Sequence, residues 1–462
     1  MANIESPMSL GSKSISRLLV QYSVPAIIAS VATSLYNIID SIFIGRGVGP
    51  MAIAGLAITF PMMNLVVAFC TLIAAGGATI TSIFMGQKNI PRATDVVNNV
   101  MVLCLINSAV FGGLSLIFLD DILLFFGATE ETISYAREFM TIILYGTPIT
   151  YVFIGLNNLM RATGYPKKAM ISALISVGVN IILAPIFIFK LKWGIAGAAL
   201  ATLCGQSVAF VWVLIHFFSK SSFIHFQRNN RWFTPAIIKR IYAIGLSPFL
   251  MNVCACVVVV FINKALLDTA GSAGNMAVGA YGIINRTTMF FVMIVFGVTQ
   301  GMQPILGFNF GANNWDRVKR TLKLGMLCGF TITTLGFILT ECFPNTISRL
   351  FTTDPTLIDI ARRGFRIYFS FYSVVGIQIV IQNFFQSIGK PKLSIFLSLT
   401  RQLLFLIPFL LILPKYYGTD GVWASMCGSD LVAFVTAIVT LIIEIRILNK
   451  RFLNIKPIEQ AV

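Results

Sequence analysis

Apolar runs of 20 or more residues, parted by short polar stretches, fill this chain almost from end to end. They fall near 17–44, 52–85, 93–119, 132–160, 168–189, 194–218, 237–267, 276–310, 319–343, 357–388, 391–413 and 421–447. About 20 apolar residues in a helix cross the hydrocarbon of a bilayer. The pattern therefore predicts an all-α polytopic membrane protein with twelve transmembrane helices. Several runs exceed that minimum, which calls for tilts, kinks or extensions into water.

The pattern repeats. Residues 51–170, shifted by 225, align without gaps to 276–395 with 23 identities in 120 positions, well above what composition alone gives. The matches fall on punctuation: Gly76/Gly301, Gly86/Gly311, Asn89/Asn314, Arg92/Arg317, Gly164/Gly389, Pro166/Pro391 and Lys167/Lys392. Pro25 pairs with Pro248 at an offset of 223, where Asp40 pairs with Asn263. Six helices per half is an even number, so both halves keep one orientation. They form two parallel six-helix lobes with pseudo-twofold symmetry about the membrane normal, with substrate expected between halves. The predicted lobes are 1–218 and 236–462, joined by a cytoplasmic linker at 219–235.

Composition agrees with the pattern. Only 11% of the 462 residues are charged and 57% are hydrophobic, against about a quarter charged in soluble domains. A net charge of +17 could suggest nucleic acid. However, the basic residues sit in short loops between apolar runs, where they act as topology signals. With the N-terminus inside, 22 of the 34 lie on inner segments and six on outer loops; four more, Arg137, Arg362, Arg363 and Arg366, near outer helix starts weaken the asymmetry without reversing it, so both termini are expected in the cytoplasm. The polar start and long first run, with no small-residue cleavage site, read as an uncleaved first helix.

Eight scattered cysteines without a CxxC pair, and only two histidines, His216 and His225, offer no metal-ligand spacing. No P-loop and no Ser/His/Asp or HExxH arrangement occurs. An enzyme, a bound cofactor and a nucleic-acid partner are therefore not expected.

Chemistry is left to ionisable groups inside helices, each costing roughly 2.5–3.5 kcal/mol at mid-membrane on insertion scales. Asp40 lies in Tyr36-Asn37-Ile38-Ile39-Asp40, where helical spacing gives Tyr36 and Asn37 one face with the acid. It reads as a carboxylate for protons or cations, against the plainer reading of an acid snorkelling at the outer end. Arg401 and Asp430 fall inside the eleventh and twelfth runs and are expected to neutralise one another. Arg286, in the eighth, faces either a water-filled cavity or a backbone carbonyl. A Met/Phe bias in the second and eighth runs (Phe60 and Met63; Met289, Phe290 and Met293) suits an adaptable drug surface, though lipid contact or packing explains any one of them. Pro25, four turns before Asp40, is a candidate hinge.

Together with the repeat, several segments make the chain similar to the multidrug and toxic compound extrusion (MATE) family, in its MepA-like bacterial branch. They are Asn37–Gly45, Arg161-Ala-Thr-Gly164-Tyr-Pro166-Lys, Gly194–Thr202, Gln300–Pro304 through Asn309-Phe-Gly311, and Ser429-Asp430. The resemblance implies secondary active export of amphipathic or cationic drugs by alternating access, in exchange for H+ or Na+. It places the protein in the bacterial inner (plasma) membrane as a monomeric transport unit among lipids. By similarity, the ion site uses Asp40, Asn180 and Thr202. Two departures stand out: Ala184 occupies a position where relatives often carry an acid, and residues 246–267 lack the glutamate some relatives have. One carboxylate suits a bare sodium ion poorly, so protons are favoured. The alternative is a flippase for a lipid-linked saccharide of the same superfamily.

Overall fold

Helices account for nearly all of the computed structural model, which describes residues 7–219, 222–227 and 231–453. Both chain termini, and Lys220, Arg228 and Lys456 of the basic residues used to orient the chain, lie outside the described residues. Nine helical stretches among the described residues are long and apolar enough to cross a membrane. A tenth is the pair Ile133–Tyr145 and Thr147–Ala162, bent by 55°. Two of the nine, Pro235–Gly311 with 77 residues and Pro391–Leu453 with 63, are far longer than the ~20 residues one crossing needs. Each is broken in the middle, at the 3-10 turn Gly271–Ala273 and at Gly418. Counted as two crossings each, they bring the total to twelve.

We number the crossings in chain order. The first three are α1 (Ile15–Gly47), α2 (Pro50–Gly86) and α3 (Ile90–Ile117), and α4 is the bent pair. Next come α5 (Pro166–Lys190), α6 (Gly194–Phe218), α7 (Pro235–Ala270) and α8 (Gly274–Gly311). The last four are α9 (Trp315–Cys342), α10 (Pro355–Ser387), α11 (391–417) and α12 (419–453). Short helices Leu119–Phe125 and Pro344–Arg349 follow α3 and α9.

The helices are turned inside out relative to those of a soluble protein. On α3, Val110, Leu114 and Ile117 are exposed while Ser108, Gly112 and Ser115 are buried. Small and weakly polar residues let helices approach, and the apolar stripe is left for lipid.

The repeat is visible in backbone angles. Lys88 and Asn313, 225 apart, both take a left-handed φ, of 56° and 58°. Gly164 and Gly389 do the same at the turns before α5 and α11, where the missing Cβ removes the steric cost. α3 and α9 begin and end 225 residues apart. The break in α4 at Gly146 matches the non-helical Phe371 inside α10 by the same offset.

Packing divides the chain into two units. Among the described residues, the first holds those of 7–13 and 24–249, and the second those of 14–23 and 250–453. The start of α1 thus belongs with the second unit, where Ser23 Oγ donates to the carbonyl of Val298 at 3.3 Å and Gly301 lies against Ser23. The start of α7 belongs with the first, where a Cβ on Gly245 would stand 1.6 Å from the Leu72 carbonyl oxygen. Pro25 and Pro248 each lie within two residues of these boundaries, where a missing amide donor weakens the helix. The linker is held within the first unit by α3. Asn98 and Asn99 donate their amides to the carbonyls of Gln227 and Arg231, and Asp95 accepts from Arg231 N.

Candidate functional site

Three helices of the first unit meet at the hydroxyl of Thr202 on α6. Thr202 Oγ1 donates to the Ala198 carbonyl one turn earlier at 3.2 Å. Its proton is thereby used, so Tyr36 Oη on α1 and Asn180 Nδ2 on α5, each 3.1 Å away, both donate to it. This one oxygen fixes the register of α1 and α5 against α6.

Asp40 lies one turn beyond Tyr36. It is 7% exposed, and its Oδ1 is buried with no hydrogen-bond partner. A buried carboxylate oxygen without a donor is costly unless a proton or cation takes it. Asn37 does not join the group. It is exposed, and its main-chain carbonyl accepts from Ser41 Oγ.

Local sequence explains how α5 reaches this point. Ala184, one turn after Asn180, is fully buried, and Pro185 follows it. Proline cannot donate to the carbonyl one turn back, and the helix continues as the π turn Ile186–Lys190. Such widened turns recur at functional sites. The end of α1 rests on this turn: a Cβ on Gly47 would stand 2.2 Å from Ile188, and Phe43 meets Phe189 edge-on at 6.2 Å. On the other side, a Cβ on Gly205 of α6 would stand 2.4 Å from the Ser176 carbonyl oxygen and 3.4 Å from Asn180 N. Only a glycine lets α6 seat α5 this closely.

The second unit is built differently at the corresponding helices. Arg401 lies in the π turn Thr400–Leu406 of α11, and its Nε donates to Asp430 Oδ1 of α12 at 2.6 Å. The side chains are 24% and 5% exposed. At the offset of 225, Arg401 corresponds to Ser176 and Asp430 to Gly205, so an ion pair stands where the first unit has a glycine contact. Nearby aromatic packing joins Phe369 to Tyr372, with ring centroids 4.4 Å apart, and Tyr372 Oη donates to the Thr288 carbonyl at 3.1 Å. Asn263, the counterpart of Asp40, also has a buried Oδ1 without a partner, but it carries no charge.

The remaining candidates are dispersed. Arg286 on α8 is exposed and has no ion pair among the described residues. Phe60 on α2 and Met289 and Phe290 on α8 are exposed, while Met63 and Met293 are half-buried on the same helices. Sequence reasoning missed Gln206, which accepts from Thr150 Oγ1 and so ties α4 to α6. Its position four residues after Thr202 was the available signal, because it shares that face of α6.

A profile of the MatE family matches residues 25–186 and 244–412. The chain is 28% identical over 422 residues to the multidrug export protein MepA of Staphylococcus haemolyticus, covering 91% of this chain and 92% of that one. It is 25% identical over 447 residues to MepA of Staphylococcus aureus, covering 93% and 94%. Among solved structures, the fold matches a MATE protein in complex with MaL6, with a TM-score of 0.90 at 23% identity over 97% of this chain and 100% of that one. It also matches the bent conformation of MATE, with a TM-score of 0.91 at 23% identity over 97% and 99%.

Proposed function

Because this chain belongs to the MatE family, we propose that it is a multidrug exporter that expels amphipathic, often cationic drugs across a bacterial plasma membrane in exchange for protons. The observation that carries the reading is the unfilled Oδ1 of buried Asp40, on the helix held to α5 and α6 by Tyr36.

An ion can drive a conformational change only by binding its two states differently. Protonation of Asp40 removes a buried charge, and with it the cost of enclosing the carboxyl. The packing of α1 that buries Asp40 is thus favoured by the proton, and the packing that wets it by the loss of the proton. Pro25 lies about four turns earlier on the same helix, where the missing donor offers a place for α1 to bend. Proton entry at Asp40 is thereby coupled to the packing of α1, and drug release follows that packing.

Protons are favoured over sodium by the same geometry. A hard cation needs several oxygen ligands. Here Thr202 Oγ1 is already saturated, and Ala184 supplies none. We further propose that both termini are cytoplasmic and that a monomer is the transport unit.

The test is export by the purified chain in proteoliposomes under imposed gradients. A pH gradient alone should drive uptake of a cationic dye, and a sodium gradient alone should not. Uptake driven by sodium alone would replace the proton in this scheme.

A further inference from the structure

The connection between α9 and α10, with the first turns of α10, forms an open cleft of about 420 Å³ in the second unit. Its polar lining consists of Asn345, Arg349, Thr352, Thr353, Asp359 and Arg362. Arg362 is paired with Asp359. The exposed side chain of Arg349 has no ion pair or hydrogen bond among the described residues, so the cleft is lined by one unmatched cation beside two hydroxyls and an amide. The first amides of α10 are not free for a ligand, because Asp354 accepts from Thr356 N at 2.8 Å and Leu357 N at 3.3 Å.

The internal repeat provides a control. At the offset of 225, the first unit has Asp120 in place of Asn345, Leu124 in place of Arg349, and Gly127 and Ala128 in place of the two threonines. There Arg137, the counterpart of Arg362, is held by Asp120 through bonds of 2.6 and 2.9 Å. Arg137 is thereby matched within its own loop, whose other charged groups, Asp121, Glu130 and Glu131, are all acids. The unmatched arginine and the hydroxyls belong to the second unit alone, so the fold does not require them.

The surroundings point to the ligand. The cleft lies just past the end of α9 (Trp315–Cys342), a helix long and apolar enough to cross a membrane. Phe343, Leu350 and Phe351 flank the short helix Pro344–Arg349 and are exposed, Leu350 by 78%. Apolar side chains beside an unmatched guanidinium and hydroxyls suit a molecule with a phosphate at one end and acyl chains at the other. A guanidinium binds two phosphate oxygens through its planar fork, and threonine hydroxyls can donate to the remainder.

We propose that this cleft binds the phosphate of an anionic phospholipid, with Arg349 as its principal contact and Thr352 and Thr353 as supporting donors. The site is distinct from Asp40 and does not depend on which ion drives export.

The experiment is native mass spectrometry of the full chain in detergent, titrated separately with phosphatidylglycerol, phosphatidylcholine and inorganic phosphate. The variants are Arg349→Gln and the double variant Thr352→Val/Thr353→Val. Wild type should retain phosphatidylglycerol in preference to phosphatidylcholine. Arg349→Gln should weaken the tightest binding step by roughly tenfold, the worth of one charge-assisted hydrogen bond, and the threonine variant should weaken it less. Arg137→Gln, in the first unit, should leave that step unchanged. Inorganic phosphate bound as tightly as the lipid would assign the cleft to a soluble anion and overturn the lipid reading. Equal retention of the two lipids, or retention unaffected by Arg349→Gln, would overturn the site itself.

Discussion

In the first unit α5 and α6 meet through Gly205, whose missing Cβ lets the Ser176 carbonyl approach. In the second, α11 and α12 meet through the Arg401–Asp430 ion pair at the same offset. One template therefore carries two ways of joining the same pair of helices. The difference extends to the charges each unit leaves open. The second unit closes its buried acid with an arginine. The first keeps a buried acid, Asp40, with an oxygen that no side chain or backbone group fills. A fold that can neutralise a carboxylate internally, and does so once, makes the exposed need of the other carboxylate informative: it is a place for an incoming ion.

Breaking the closed pair should produce the largest effect. Arg401→Met leaves Asp430 as an unpaired buried charge, a loss of about 3–5 kcal/mol, and Arg401→Met/Asp430→Asn should lose less than either single variant. Thermal stability in detergent measures this cycle, and additive losses would mean that the two charges do not act as a pair. Gly205→Ala tests the opposing solution in the first unit. The added methyl collides with backbone, which cannot rotate away as a side chain can, and overpacking of this kind costs about 1–3 kcal/mol. Stability equal to wild type would show that α5 and α6 are not held this closely. The smallest effect is expected from Ala184→Asp, which adds a second acid one turn from Asn180 on the same face. Dye export should gain a sodium dependence that wild type lacks. An unchanged sodium response in a well-folded variant would remove the ligand-number argument for protons.

Much of this architecture was legible because a bilayer demands long apolar helices and the chain repeats itself. The offset of 225 read from Gly164/Gly389 returns as paired left-handed turns, and even the break at Gly146 has its partner at Phe371. What could not be read depends on three-dimensional neighbours. The π turns at Ile186–Lys190 and Thr400–Leu406 leave no periodic trace, since one extra residue per turn is a local choice of the backbone. That the first ten residues of the α1 region pack with the second unit depends on the close approach at Gly301, which hydropathy does not encode. Helix arithmetic put both Tyr36 and Asn37 beside Asp40. At about 100° per residue they lie about 40° and 60° to opposite sides of it, so one can turn inward while the other faces out. Tyr36 reaches Thr202, and Asn37 is exposed. The unfilled oxygen of Asp40 was equally hidden, because it depends on which side chains the neighbouring helices bring to it.

The claim that ion entry acts through Asp40 is tested most directly by Asp40→Asn. The amide keeps the shape of the protonated carboxyl and cannot lose the charge-switching proton. Purified to the same stability as wild type and reconstituted in liposomes, it should still bind a cationic dye and show no transport driven by a pH gradient. Transport by Asp40→Asn at the wild-type rate under that gradient would contradict the account.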